Sequence, residues 1–267
     1  MPVDYAITQL EALTVLCHYC LLDSAQSVNQ PQPAQLYSNL AFVCIPAPFS
    51  QEQLKENAES ISGARKAVLG ILSQIVGSLS VLWQVLTNIN QRLIPLNSVA
   101  GSPRIVRSQL LELLSPIALH HASSFLGAVA TVWYDRRPLS SSSQVLSSAN
   151  EDQQVLVELV SAIKTMPIDT LVVTLHTLVK QGAPYQEQNP HIEVSALELF
   201  LHYVRTTPGP HLAECWSSLF PLLRDAPNLQ PPSQFLLFTV LSDLSIAPAH
   251  LYLIRKIRKI YRILLLS

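Results

Sequence analysis

Charge is scarce in this 267-residue chain: Asp, Glu, Lys and Arg together make up 13% of it, about half the usual quarter. Glycine is scarcer still, with 7 in the whole sequence, all scattered. That argues against folds built on glycine-rich phosphate loops. Four cysteines at this length are too few for a disulfide framework. The sequence contains no HExxH and no GxSxG, so two common hydrolase signatures are missing. No positively charged stretch precedes an apolar run at the amino end, where Met1 is followed by Asp4 and Glu11. A secretory signal is therefore not expected, and the cysteines read as reduced thiols.

What is abundant is hydrophobicity, at 49% with a mean hydropathy of +0.29. A disordered chain needs the opposite balance. Two stretches are apolar enough to raise the question of membrane spanning. Between Lys66 and Arg92 no charge occurs, but Ser73, Gly77, Ser80, Gln84, Thr87 and Gln91 recur every three or four residues. Val68, Leu72, Ile75, Leu79, Leu82 and Leu86 are expected to form the other side of the same helix. The second stretch, 113–134, is interrupted by Pro116, His120, His121, Ser123 and Ser124. Both read as buried helices of a soluble protein.

Helical spacing recurs along the chain. It predicts helices over 4–22, from near 63 to 93, and over 104–115, with Pro116 kinking or breaking the last before a continuation over 117–135. Further helices are expected over 151–165, 168–180, 192–205, 211–224 and 233–244. Ser50 with Gln53 resembles a capping box and marks another start. Proline-containing or serine-rich loops are expected near 24–50 and 136–150. No convincing set of alternating strands is visible. The second half repeats weakly: Thr165-Met-Pro-Ile-Asp-Thr-Leu171 matches Thr206-Thr-Pro-Gly-Pro-His-Leu212, and Ala183-Pro184 matches Ala226-Pro227. Helical-hairpin repeats of the HEAT and armadillo type have periods of about 40–47 residues. The expected fold is all-α, a HEAT/armadillo-like stack of antiparallel helix pairs forming an α-solenoid segment over 1–247. A basic amphipathic tail over 248–267 follows.

Candidate chemistry is thin. Cys17-His18-Tyr19-Cys20 is the sharpest motif, and CxxC binds zinc or runs redox exchange in suitable surroundings. Only Cys44 and Cys215 remain as further thiol ligands, and the pair sits in a helical pattern with Leu13 and Leu16 expected to face inward beside it. Buried core cysteines without metal are the expectation. Adjacent His120 and His121 point to different helix faces, one exposed and one satisfied inside. A small-ligand or enzymatic pocket lined by either histidine is the alternative reading. Glu151-Asp152 fits the acidic first turn of a helix, and Arg136-Arg137 the basic end of one. Trp83, Trp133 and Trp216 read as core anchors. No cofactor or metal is expected.

Five of the 17 basic residues, Arg255, Lys256, Arg258, Lys259 and Arg262, fall in 251–267, where no acid lies. The body keeps 12 basic against 18 acidic residues, which is not a nucleic-acid footprint. The tail also carries Ile254, Ile257, Tyr261 and Leu264 at helical spacing. These five cations are the candidate membrane-binding residues, on an anionic membrane surface. Docking of the same stripe onto the acidic body is the other placement.

Several stretches resemble the Dopey family. They are Ala67-Val-Leu-Gly-Ile-Leu-Ser-Gln-Ile-Val76 through Leu82-Trp83, His120-His-Ala-Ser-Ser-Phe-Leu-Gly-Ala-Val-Ala-Thr-Val-Trp133 through Arg137, and Gln154-Val-Leu-Val-Glu-Leu-Val160. Cys215-Trp-Ser-Ser-Leu-Phe-Pro-Leu-Leu-Arg-Asp225 and Gln234-Phe-Leu-Leu-Phe-Thr-Val-Leu241 continue the match. It runs from about Arg65 to Leu244, and the residues beyond depart from the family's continuation. Dopey proteins are many times longer, so this is an internal segment of their length. The resemblance implies a non-catalytic role in protein traffic between endosomes and the Golgi, as a peripheral protein on the cytosolic membrane face. It also implies as partners a large scaffold related to Arf exchange factors and a phospholipid flippase.

Overall fold

In a computed structural model of the chain, the described residues are 3–22, 62–92, 103–138, 148–182, 191–212 and 215–246. Among them every regular element is a helix and none is a strand. The expected loop at 24–50, the capping box at Ser50, most of the 136–150 linker and the tail lie outside the described residues.

The central element is α5, Ala122–Asp135. Its sequence alternates small residues with large apolar ones. Phe125, Leu126, Ala128, Val129, Ala130, Val132 and Trp133 are all buried. A helix apolar on every side must be surrounded, and α5 is. It packs on α3 (Leu72–Arg92), α4 (Pro103–His120), α6 (Glu151–Ala162), α7 (Ile168–Gln181) and α8 (Ile192–Thr206). Outside this group, α1 (Val3–Leu21) lies on α4, α10 (Trp216–Asp225) on α7, and α11 (Pro231–Ile246) on α8. A short helix, α2 (Ser62–Gly70), precedes α3, and a single turn, α9 (Gly209–Leu212), leads toward α10. The whole is an all-α stack of helix pairs of the solenoid kind.

Local chemistry explains most boundaries. Asn150 caps α6 with a complete capping box: its side chain accepts from the Gln153 amide at 2.7 Å, and the Gln153 side chain accepts from the Asn150 amide at 3.2 Å. Gly182 ends α7 at φ 77°, its amide donating to the Leu178 carbonyl at 2.8 Å. The two copies of the weak repeat open elements of different length, the 14-residue α7 and the four-residue α9, and Ala183-Pro184 lies outside the described residues. Pro167 precedes α7 and Pro208 precedes α9, and Leu171 and Leu212 are both buried.

Three expectations are corrected. Pro116 does not break its helix: α4 runs on to His120, and the chain bends by 120° at His121 instead. The missing proline amide frees the carbonyl of Glu112, an exposed residue, so water can satisfy it. The helix expected over 211–224 is described as α9 and α10, with a turn at Cys215 between them. Leu16 faces outward rather than inward, because the buried ridge of α1 is Leu10, Cys17, Cys20 and Leu21. The apolar stretches also resolve. No single helix among the described residues is long and apolar enough to cross a membrane, and the two helix pairs of suitable composition are bent by 50° and 120°.

Candidate interaction surface

The interior leaves little room for a ligand. The cavity between α5, α6, α7 and α8 has a volume of about 10 Å³, too small to house more than one water. Its lining is apolar, including Leu126, Leu175 and Phe200. His120 is exposed at the end of α4, while His121 donates from Nε2 to the Leu21 carbonyl at 3.0 Å. His18 of the CxxC segment donates likewise to the Leu113 carbonyl at 3.2 Å. These histidines therefore staple α1 to the α4–α5 bend, and neither His120 nor His121 lines a described cavity.

Cys17 and Cys20 are buried against α4. Burial, reinforced by the neighbouring Cys20, pushes the Cys17 thiol up to about 11. Cys215 is pushed to about 11 as well, by burial. A ligating or nucleophilic cysteine needs the opposite shift. Among the described residues no group of three or more His, Cys, Asp or Glu is placed to hold a metal ion.

The polar stripe of α3 turns out to be a clamp. Ser80 is fully buried, and Arg136 of the α5 end donates to Ser80 Oγ at 2.7 Å and to the Gly77 carbonyl at 3.3 Å. Arg136 also donates to the Asp152 carbonyl at 2.8 Å, while Gln84 donates to Asp152 Oδ1 at 3.1 Å. Farther along α3, Arg107 donates to Thr87 Oγ1 and lies 4.8 Å from the Trp83 ring centre. Beside Arg136, Arg137 donates to Glu198 Oε2 at 2.6 Å, and Trp133 Nε1 donates to the same oxygen at 3.0 Å. Arginines that read as helix-end charges in the sequence are thus ties from α5 to α3, α6 and α8. Their partners on α3 and α8 lie about 60 residues away in sequence, which no local pattern reports.

One polar cleft opens at the surface, about 230 Å³ in volume, between α7, α8 and α10. His176 Nε2 lies 2.9 Å and Lys180 Nζ 3.3 Å from Asp225 Oδ2. The bond to His176, then that to Lys180, hold the Asp225 carboxyl below its ordinary value. Glu193 completes the rim. The carboxylate is already paired by these two side chains and by Arg224, 3.7 Å from Oδ1, so the cluster ties α7 to α10.

Most of the remaining signal lies on outer helix faces. On α1, Tyr5, Val15, Leu16 and Tyr19 are exposed along one side. On α3, Val81 and Val85 are exposed one turn apart, and on α11 so are Phe235 and Phe238. These outer faces are the candidate contact surfaces. The candidate membrane residues Arg255, Lys256, Arg258, Lys259 and Arg262 lie outside the described residues.

A closed all-α stack whose polar groups tie helix to helix, with apolar residues displayed outside, defines an α-solenoid segment. The chain's relatives make the class specific. It is 38% identical to "Protein DOP1 homolog" of Drosophila melanogaster, over 91% of this chain and 10% of that protein. It is 29% identical to "Protein DOP1B" of Mus musculus, over 90% of this chain and 10% of the relative. To "Protein pad-1" of Caenorhabditis briggsae it is 25% identical, over 91% and 13%. A family model described as the DOP1 TPR domain matches residues 1–23, which contain α1. The chain belongs to the Dopey (DOP1) family. It spans about a tenth of the length of these relatives. No solved structure matches it.

Proposed function

We propose that this chain is a non-catalytic scaffold segment acting in protein traffic between endosomes and the Golgi, at the cytosolic face of their membranes. The observation that carries the reading is the 38% identity to a DOP1 homolog along nearly the whole segment. The helix stack supports it: repeat-like helical arrays offer long outer surfaces for other proteins rather than pockets for substrates. The partners that fit are those of the family resemblance, a large scaffold related to Arf exchange factors and a phospholipid flippase. Membrane contact falls to the tail cations Arg255, Lys256, Arg258, Lys259 and Arg262, each gaining about 1 kcal/mol near an anionic leaflet.

Two measurements test it. The tagged chain should collect on Golgi and endosomal membranes in cells, and uniform cytosolic staining of a folded chain counts against the reading. The purified chain should float with phosphatidylserine vesicles at low salt, and a variant with all five tail cations changed to Gln should not. Equal flotation of the two removes the tail from membrane contact while leaving the scaffold role standing. The second reading, a small-ligand or enzymatic domain, rests on the cleft at His176, Lys180, Glu193 and Asp225. Binding of a small molecule that is lost in Asp225→Asn would favour it.

A further inference from the structure

We propose that the surface cleft between α7, α8 and α10 receives one basic side chain of a partner protein, an arginine in preference to a lysine. The cleft holds about 230 Å³, less than the roughly 300–1,000 Å³ of pockets that enclose a drug-sized molecule. A space of this size suits a single long side chain, the kind of anchor that carries much of the energy of a protein interface. Val179, Leu222 and Leu229 give it apolar walls. The inference is independent of the trafficking reading.

The two carboxylates of the lining differ in what they already hold. Asp225 is taken up by the tie between helices: its Oδ2 lies 2.9 Å from His176 and 3.3 Å from Lys180. Arg224, which is not part of the lining, lies 3.7 Å from its other oxygen. Glu193 has no such partner. Its Oε1 accepts one bond, from the Gln230 amide at 3.2 Å, and among the described residues no cation pairs with it. It sits half-buried in the first turn of α8, where the helix end favours a carboxylate but supplies no counter-ion. Its remaining lone pairs face a cleft with apolar walls, surroundings in which an unpaired charge is costly. Since Lys180 answers Asp225, the formal charge left over in the lining is the negative one of Glu193. A guanidinium meets this better than an ammonium does. Its planar fork gives two parallel bonds to one carboxylate, and its methylenes can lie along Val179, Leu222 and Leu229. Asn228, exposed at the rim, offers a further acceptor. An acidic side chain would meet Glu193 unrelieved, and Lys180 could serve it only by releasing Asp225.

Titration of the isotope-labelled full chain with N-acetyl-arginine methylamide, followed by amide NMR, tests this. Signals of Lys180, Glu193 and Asn228 should shift together, half-saturating at roughly millimolar probe, as expected for so small a ligand. The citrulline analogue, equal in shape but uncharged, should bind about tenfold more weakly. So should the arginine probe to Glu193→Gln, which keeps an acceptor for the Gln230 amide. The lysine analogue should bind more weakly than the arginine one, and Lys180→Gln should not weaken either. The citrulline comparison uses the unaltered chain, so it decides even where a variant disturbs the fold. No shift at about tenfold the expected range overturns the proposal. Equal binding of the citrulline analogue also overturns it, because charge is then not what the cleft reads. So does preference for the glutamate analogue, which would make Lys180 the recognising group. Much tighter binding of free arginine than of the blocked probe overturns it too, because the occupant would then be a small molecule and not a side chain.

Discussion

Arg137 and Glu198 meet at 2.6 Å, joining the chain just beyond the end of α5 to the middle of α8. Trp133 Nε1 shares the same carboxylate oxygen at 3.0 Å, so one buried anion is held by a guanidinium and an indole. The pair lies about 60 residues apart in sequence and closes the centre of the stack.

Removing the cation alone should leave Glu198 buried with only the indole. Arg137→Met should cost about 2–3 kcal/mol, somewhat below a fully enclosed pair because the guanidinium is partly exposed. Glu198→Gln keeps an acceptor for Trp133 and should cost about 1 kcal/mol. The double variant should be more stable than Arg137→Met alone. Urea denaturation of the four proteins measures the coupling; strict additivity would mean that the pair carries no energy of its own.

Two glycines should respond to alanine with opposite signs. Gly182 sits at φ 77°, ψ 176° with open space around it, so Ala there meets backbone strain alone and should lose about 1–3 kcal/mol. Gly77 lies inside α3, and a methyl group would meet Val132 at 3.7 Å, an ordinary contact. Gly77→Ala should therefore gain about 0.5–1 kcal/mol from helix propensity. Melting temperatures of the two variants should move in opposite directions.

The cleft gives a pH signature. His176 and Lys180 lower the Asp225 carboxyl from its ordinary 3.8. As pH falls, the unfolded chain takes up this proton before the folded one does. The stabilisation is thus full above about 3.8 and disappears as pH drops through the lowered folded value. Asp225→Asn should flatten this part of the acid limb, seen as a smaller loss of stability below about pH 4. An unchanged acid limb would remove Asp225 from the tie between α7 and α10.

The cysteines should be quiet. With Cys17 and Cys215 pushed to about 11, both remain thiols at neutral pH and lie behind packed side chains. Iodoacetamide should label them only at the rate of unfolding, and protein purified without added metal should carry no stoichiometric zinc. Rapid labelling of Cys17 in the folded chain, or zinc lost on replacing Cys17 and Cys20, would contradict this.

The sequence was most informative where local rules act. Proline before α7, periodicity in α8 and the apolar run of α11 place those helices within about two residues of where they stand. The α-solenoid class followed from the same rhythm. Pro116 misled because the cost of proline depends on whether the freed carbonyl reaches water, and Glu112 is exposed. Leu16 misled because it lies 100° from Cys17 on the helix, and only packing against α4 decides which of the two is covered. The clamp residues were visible individually, yet the meaning of Arg136 and Arg137 depended on Ser80 and Glu198. Such pairings are set by the three-dimensional stack rather than by spacing along the chain.

The staple between α1 and the α4–α5 bend has a consequence for synthesis on the ribosome. His18 and His121 tie positions 95 and 100 residues apart. At about 5–20 residues per second, α1 emerges roughly 5–20 s before the surface that receives it exists. During that interval Cys17, Cys20 and Leu21 on one side and Tyr5, Leu16 and Tyr19 on the other are both uncovered. Until α4 and α5 are made, the ridge that α1 later buries stays open to water and to other chains, and lengthening the stretch between α1 and α4 would prolong its wait.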